Sequence, residues 1–310
     1  MPSDQRLLER AMPWVFVLIW STGFIVARFG MPHAPPFGFL ALRYALSVAC
    51  LLGWVALAGV AWPAARAQWL HLAVTGVLIH AGYLGGVWAA VKAGIGAGMV
   101  ALVVGLQPVL TALWLSSTSA RRSQQPVGLR QWAGLGLGLA GLSLVVWDKL
   151  GHGEVTAWNF TLAGLAMLSI TAGTLYQKSF VAPCDVRSAG VVQLLAALLV
   201  TLPLALLERE GFVWHAEMLG ALAWSVLALT LGANSLLYLM LQRGAATRVA
   251  SLMYLVPPCT ALMAWGMFGE VFSLRMAAGM LLTAIGVWWV LANTRDPRKK
   301  LRVSKVQSSG

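Results

Sequence analysis

Ten predominantly apolar stretches, each long enough to cross a bilayer as a helix, follow one another with only short connections. A hydrocarbon layer about 30 Å thick needs about 20 such residues at 1.5 Å rise per residue. The runs lie near 13–31, 37–60, 69–92, 95–116, 130–148, 158–180, 187–207, 217–242, 245–268 and 273–293. Backbone polar groups in lipid need partners inside their own segment, and the period-two alternation of barrel strands is absent. The expected fold is therefore an all-α membrane protein of ten transmembrane helices. Composition says the same about solvent: 10% of the 310 residues are charged, against about 25% in a soluble domain. That excludes a soluble enzyme, a disordered chain and a disulfide-built secreted domain.

The net charge of +12 would suggest nucleic acid in a soluble protein, but there is too little polar surface for such a site. Topology explains it better. Assigned to alternating loops, 16 of the 22 basic residues fall on the side of the N terminus, and 10 against 6 remain there without the C-terminal tail. Positive charge stays in the cytoplasm, so both termini are expected there. Trp14, Trp62, Trp69, Trp132, Trp147, Trp158 and Trp214 flank the runs as interfacial anchors would. Cys50, Cys184 and Cys259 show no metal or redox spacing and read as small packing residues.

The chain repeats itself. An offset of 150 residues places Ser21 on Thr171, Gly23 on Gly173, Arg28 on Lys178 and Arg43 on Gln193. An offset of 149 places Pro108 on Pro257 and Thr111 on Thr260; one of 145 places Gly134 on Gly279 and Gly141 on Gly286. The expected organisation is a cytoplasmic tail (1–12), a first five-helix repeat (13–148), a second (158–293) and a basic cytoplasmic tail (294–310). Five is odd, so the second copy sits inverted relative to the first, as in many secondary transporters. Because Trp20-Ser21-Thr22-Gly23 lies mid-run in a segment with a counterpart in the second half, the first run is read as a span, not a cleaved signal.

The phrase Trp20-Ser21-Thr22-Gly23-Phe24, Arg43 early in the second run, Pro108 and Pro257 within the fourth and ninth, and Gly269-Glu270 before Leu274-Arg275 and Gly279 resemble the drug/metabolite transporter superfamily. More narrowly they resemble its ten-helix EamA branch, and the Trp-rich, weakly charged spans look like that branch's aromatic amino-acid exporters. One departure is that the first half has Gln125-Pro126 where the second has Glu270. The resemblance implies a multi-pass protein of the inner membrane that carries a small molecule.

No Asp or Glu lies near the middle of any run. Intramembrane carboxylates are the usual ion relays, so coupling through one is not expected. His80 is the one deep residue able to titrate near neutrality; backbone carbonyls could still bind Na⁺. The candidate substrate-binding set is Trp20, Ser21, His80, Tyr83, Trp88, Gln107, Thr171, Asn234, Tyr238 and Tyr254. His80 and Tyr83 share a helix face, as do Asn234 and Tyr238 in the repeat partner. Pro108 and Pro257 remove a backbone bond each and are candidate hinges. Arg43 is read as flanking the first hairpin on the outer side, snorkelling or structural, with attraction of a carboxylate as the other role. Gly134, Gly136, Gly138 and Gly141 form a ridge for close packing, either within the chain or in a homodimer.

The function this implies is a secondary transporter exporting amino acids, aromatic and apolar ones included. Its path is a central cavity between the repeats, worked by alternating access without carboxylate-based ion coupling. Export of drugs or other metabolites, proton-coupled through His80, is the alternative. No cofactor, metal or nucleic-acid partner is implied; the partners are the lipid bilayer and the small molecule. Neither the G-x-S-x-G and H-E-x-x-H motifs of an intramembrane enzyme nor the charged rings of a channel occur.

Overall fold

The computed structural model describes residues 3–107, 109–111, 114, 129–150, 154–242 and 253–292. All regular structure among them is helical. The helices are α1 (Ser3–Gly30), α2 (Pro36–Leu57), α3 (Arg66–Lys92), α4 (Ala97–Val104), α5 (Leu129–Leu150), α6 (Ala157–Phe180), α7 (Val186–Leu207), α8 (216–242), α9 (Val256–Phe268) and α10 (Leu274–Ala292). Each falls on one of the ten apolar runs. Six segments are long and apolar enough to span a bilayer, in α1, α2, α3, α6, α7 and α8. The other four are shorter or less uniformly apolar over the described residues. α1 begins well before the apolar run, so much of the expected N-terminal tail is helical.

Helix ends are held by side chains from elsewhere in sequence. Glu208 accepts from the backbone N–H groups of Phe37 (3.1 Å) and Gly38 (2.8 Å), satisfying the first turn of α2 behind Pro36. Glu270 accepts from Ala97 N–H at 2.9 Å at the start of α4. A carboxylate there also meets the positive end of the helix dipole. Locally, Thr156 and Asn159 form a capping box at α6, and Asp185 caps α7. The Arg187 side chain, hydrogen-bonded to Asp185, holds that carboxyl below the usual carboxylate range.

α3 and α8 share an unusual interior. Val77–Leu84 of α3 and Ser225–Ala233 of α8 are π-helical, with i→i+5 bonding. Such stretches are rare and frequently mark functional sites. Their wider turns leave carbonyls to other donors. Tyr44 Oη donates to His80 O (2.8 Å), Ser169 Oγ to Leu78 O (2.8 Å), and Thr230 Oγ1 to Ser225 O (3.0 Å).

The chain forms two compact units: α1–α4 with α6–α9, and α5 with α10. In the larger unit α2 packs on α7, α3 on α6, α8 on α1, and α4 on α9. Close approach is set by missing side chains: a Cβ at Gly76 would collide with the backbone of Gln193. In the smaller unit the glycine ridge of α5 is used within the chain. Gly141 meets Gly279 and Thr283, and Gly134 and Gly138 meet Gly286. Large apolar side chains face outward, Leu57, Leu206 and Leu281 among them, as does every Trp expected to anchor the interface. No disulfide forms: Cys50 is exposed, and Cys184 and Cys259 are partly buried.

Candidate functional site

A cavity with about 730 Å³ of empty space, its mouth included, lies among the helices of the larger unit. α1 contributes Trp20, Gly23 and Phe24; α2 contributes Arg43; α3 contributes Ile79, His80, Tyr83, Leu84, Val87 and Trp88. Ile170 of α6, Leu194 of α7, and Leu229, Thr230 and Asn234 of α8 complete the lining. Both π-helical stretches face it. His80 and Tyr83, paired from their spacing, do share that face. Trp88 is fully buried and stacks on Phe39 with centroids 4.4 Å apart, so it is a fixed wall. Trp20 is partly exposed and packs on Phe16 at 5.3 Å.

The sequence-derived residues thus divide. Trp20, His80, Tyr83, Trp88 and Asn234 come together around this cavity. Ser21 and Thr171 are buried outside its lining, their hydroxyls donating to their own helices at Val17 O and Met167 O, both at 2.7 Å. The Ser21 carbonyl also accepts from Thr260 Oγ1 at 3.0 Å, tying α1 to α9. Gln107 falls in the smaller unit. Pro257 sits in the first turn of α9, after the 3₁₀ turn Met253–Leu255, where a missing N–H costs no helix bond. Pro108 and the side chains of Tyr238 and Tyr254 lie outside the described residues.

Arg43 differs from its expected place. It is buried, 7% exposed, and lines the cavity instead of flanking the hairpin. Its Nη2 reaches Thr230 Oγ1 at 3.5 Å, and its Nε has no hydrogen-bond partner. Thr230 was the other polar lining residue without a sequence signal; only the π-helical turn brings it round to Arg43. No Asp or Glu is among the described residues lining the cavity. Gln193 of α7, which aligns with Arg43 at the 150-residue offset, packs its backbone against Gly76, just before the π-helical stretch of α3.

The carboxylates gather elsewhere, at helix ends and in loops. Besides the caps of Glu208 and Glu270, Glu210 pairs with Lys92, whose ammonium also donates to Met31 O at 2.8 Å. Glu217 meets His33 Nε2 at 3.1 Å, and His33 stacks on His215 with centroids 4.8 Å apart and planes 19° from parallel. These three side chains are the described group that could hold a metal ion. As it stands the cluster is a His33–Glu217 hydrogen bond beside a ring stack.

The comparisons with known proteins agree with one another. The model of the EamA-like transporter family matches twice, over residues 12–147 and 156–292. An uncharacterized inner membrane transporter of Escherichia coli, YedA, is 26% identical over 274 residues, covering 86% of each chain. A probable amino-acid metabolite efflux pump of Salmonella typhimurium is 26% identical over 282 residues, covering 88% of this chain and 91% of its own. A protein crystal structure superposes with a TM-score of 0.62 at 20% identity, over 92% of this chain and 98% of that one, a likeness of fold.

Proposed function

The chain belongs to the EamA-like transporter family, within the drug/metabolite transporters, and is a multi-pass inner-membrane transporter; from that premise we propose that it exports amino acids, aromatic and apolar ones included, through the cavity between its halves. The observation that carries this reading is the cavity itself: helices from both segments matched by the family model build it, its walls are aromatic and aliphatic, and its polar groups are few. That is the usual make-up of a small-molecule site. The efflux-pump relative supports the direction and the cargo class.

Ten spans in two inverted repeats form the framework of the proposal. The double match of the family model supports two copies. Inversion is supported by reciprocal contacts. α3 packs on α6 while α8 packs on α1, and Gly141 meets Gly279 while Gly134 meets Gly286. A contact i–j answered by j–i is what a two-fold relation generates. Loops that share a side in this topology also touch: Glu208, Glu210 and Glu217 contact α2, Lys92 and His33, and on the opposite side Gln68 exchanges hydrogen bonds with Ala182. With both termini in the cytoplasm, the first set faces outward.

Transport then proceeds by alternating access, down the substrate gradient, without a carboxylate relay in the cavity. Counterflow of radiolabelled tryptophan, phenylalanine and leucine in proteoliposomes tests this. Exchange without any ion gradient is expected, and strict dependence on a proton gradient would overturn the uniport mechanism. His80 in the cavity wall is what favours the second reading, proton-coupled export of drugs or other metabolites.

A further inference from the structure

We infer that the cavity recognises its cargo by a carboxylate, with Arg43 as the counter-ion, and makes no provision for an ammonium group. This rests on the proposed export through the cavity and narrows it to monocarboxylates with an apolar or aromatic body. Amino acids qualify through their carboxylate alone.

A guanidinium stays protonated at any physiological pH and offers five N–H donors in a planar fork. Here that fork is buried, with one long bond to Thr230 and an unpartnered Nε. An uncompensated buried cation is costly, and no described lining residue supplies the anion. A bound carboxylate would satisfy both needs, taking two parallel N–H bonds in the geometry that guanidinium favours. Thr230 is suited to position the fork. Its hydroxyl donates to Ser225 O and presents a lone pair to Nη2, which turns the rest of the guanidinium free. Most of the remaining lining, Trp20, Phe24, Tyr83 and Leu229 among it, fits an apolar body, with His80 and Asn234 as further polar groups and no acid among them. An ammonium group would find no acid here and would be repelled by Arg43. The α-ammonium of an amino acid is therefore tolerated beside its own carboxylate and is not itself a recognition element.

Three indole probes separate the two groups: tryptophan carries both, indole-3-propionate only the carboxylate, and tryptamine only the ammonium. Binding to the purified protein and counterflow in proteoliposomes are measured for each. Indole-3-propionate and tryptophan are expected to bind and exchange, and tryptamine to do neither. Arg43→Gln should weaken indole-3-propionate by about thirtyfold or more, the lower end for removing one member of a buried charge pair. Arg43→Lys should recover part of the loss, and Thr230→Val should cost a few-fold. Elution and thermal stability check that the variants are folded; if Arg43→Gln is not, the native-protein comparison decides. Tryptamine binding as well as indole-3-propionate, or indole-3-propionate indifferent to Arg43→Gln, overturns the inference. Indole-3-propionate carried without tryptophan would instead remove the amino-acid reading and leave the carboxylate site standing. If none of the three binds, both fall.

Discussion

The π-helical stretches Val77–Leu84 and Ser225–Ala233 are built alike and equipped differently. Each lies within a long helix, faces the cavity, and packs against a neighbour, α7 for the first and α2 for the second. Tyr44 donates to His80 O in the first, and Arg43 reaches Thr230 in the second. The backbone is thus alike in the two stretches while the chemistry is one-sided. The first stretch contributes His80 and Tyr83, and the second a hydroxyl beside the cavity's guanidinium. Like backbones on two walls can thus carry the binding groups of a single asymmetric site.

The strongest way to break the comparison is at backbone contact. Gly76→Ala sets a methyl group against the Gln193 backbone, and should destabilise by about 3 kcal/mol, the upper end for overpacking, or abolish folded protein. Val226, 150 residues on, already carries a side chain, so Val226→Ala should leave the protein folded. Thermal unfolding in detergent measures both. A gentler pair is Gly82→Ala, which displaces Ser169 and should cost about 1–2 kcal/mol, against Gly232→Ala, whose added Cβ meets nothing closer than 3.3 Å. Equal effects would mean that the two stretches are packed alike after all.

On the polar side, Tyr44→Phe removes the hydrogen bond to His80 O and should slow counterflow by about two- to tenfold. A larger loss than that of Arg43→Gln would reverse the assignment of the asymmetry. Glu208→Ala takes two backbone partners from α2 and should lower stability by about 1–2 kcal/mol, read by denaturation. The smallest effect is at Asp185. Its folded-state pKa is depressed, so its contribution is present at neutral pH and is lost as pH falls through and below the usual carboxylate range. Asp185→Asn should flatten only that acid limb of the stability curve, and modestly, since the pair is partly exposed.

Much of the framework was legible because the bilayer enforces it. Each described helix lies on an apolar run, and His80 and Tyr83, paired by α-helical spacing, both line the cavity although their segment is π-helical. What escaped was decided by facing. Ser21 and Thr171 are polar residues deep in their runs, but each hydroxyl is satisfied by a carbonyl four residues back, so neither needs the cavity. Arg43 stands near a helix start, where snorkelling was expected. Its burial follows from the α8 segment opposite, whose π-helical turn no spacing rule reports. Pro257 read as a mid-span kink because the run looked continuous, while the helix begins beside it. The glycine ridge of α5 left two partners open, and α10 takes it.

Glu208 and Glu270 hold the ends of α2 and α4 with nothing but hydrogen bonds to the first N–H groups of those helices. Water makes the same bonds to the same groups. Undoing such a joint is a substitution of partners, nearly balanced in energy, whereas parting Gly76 from Gln193 would open a void. The molecule is therefore seamed unevenly: welded where the backbones of α3 and α7 touch, and merely buttoned at the starts of α2 and α4, where the joints can be undone and remade at little cost.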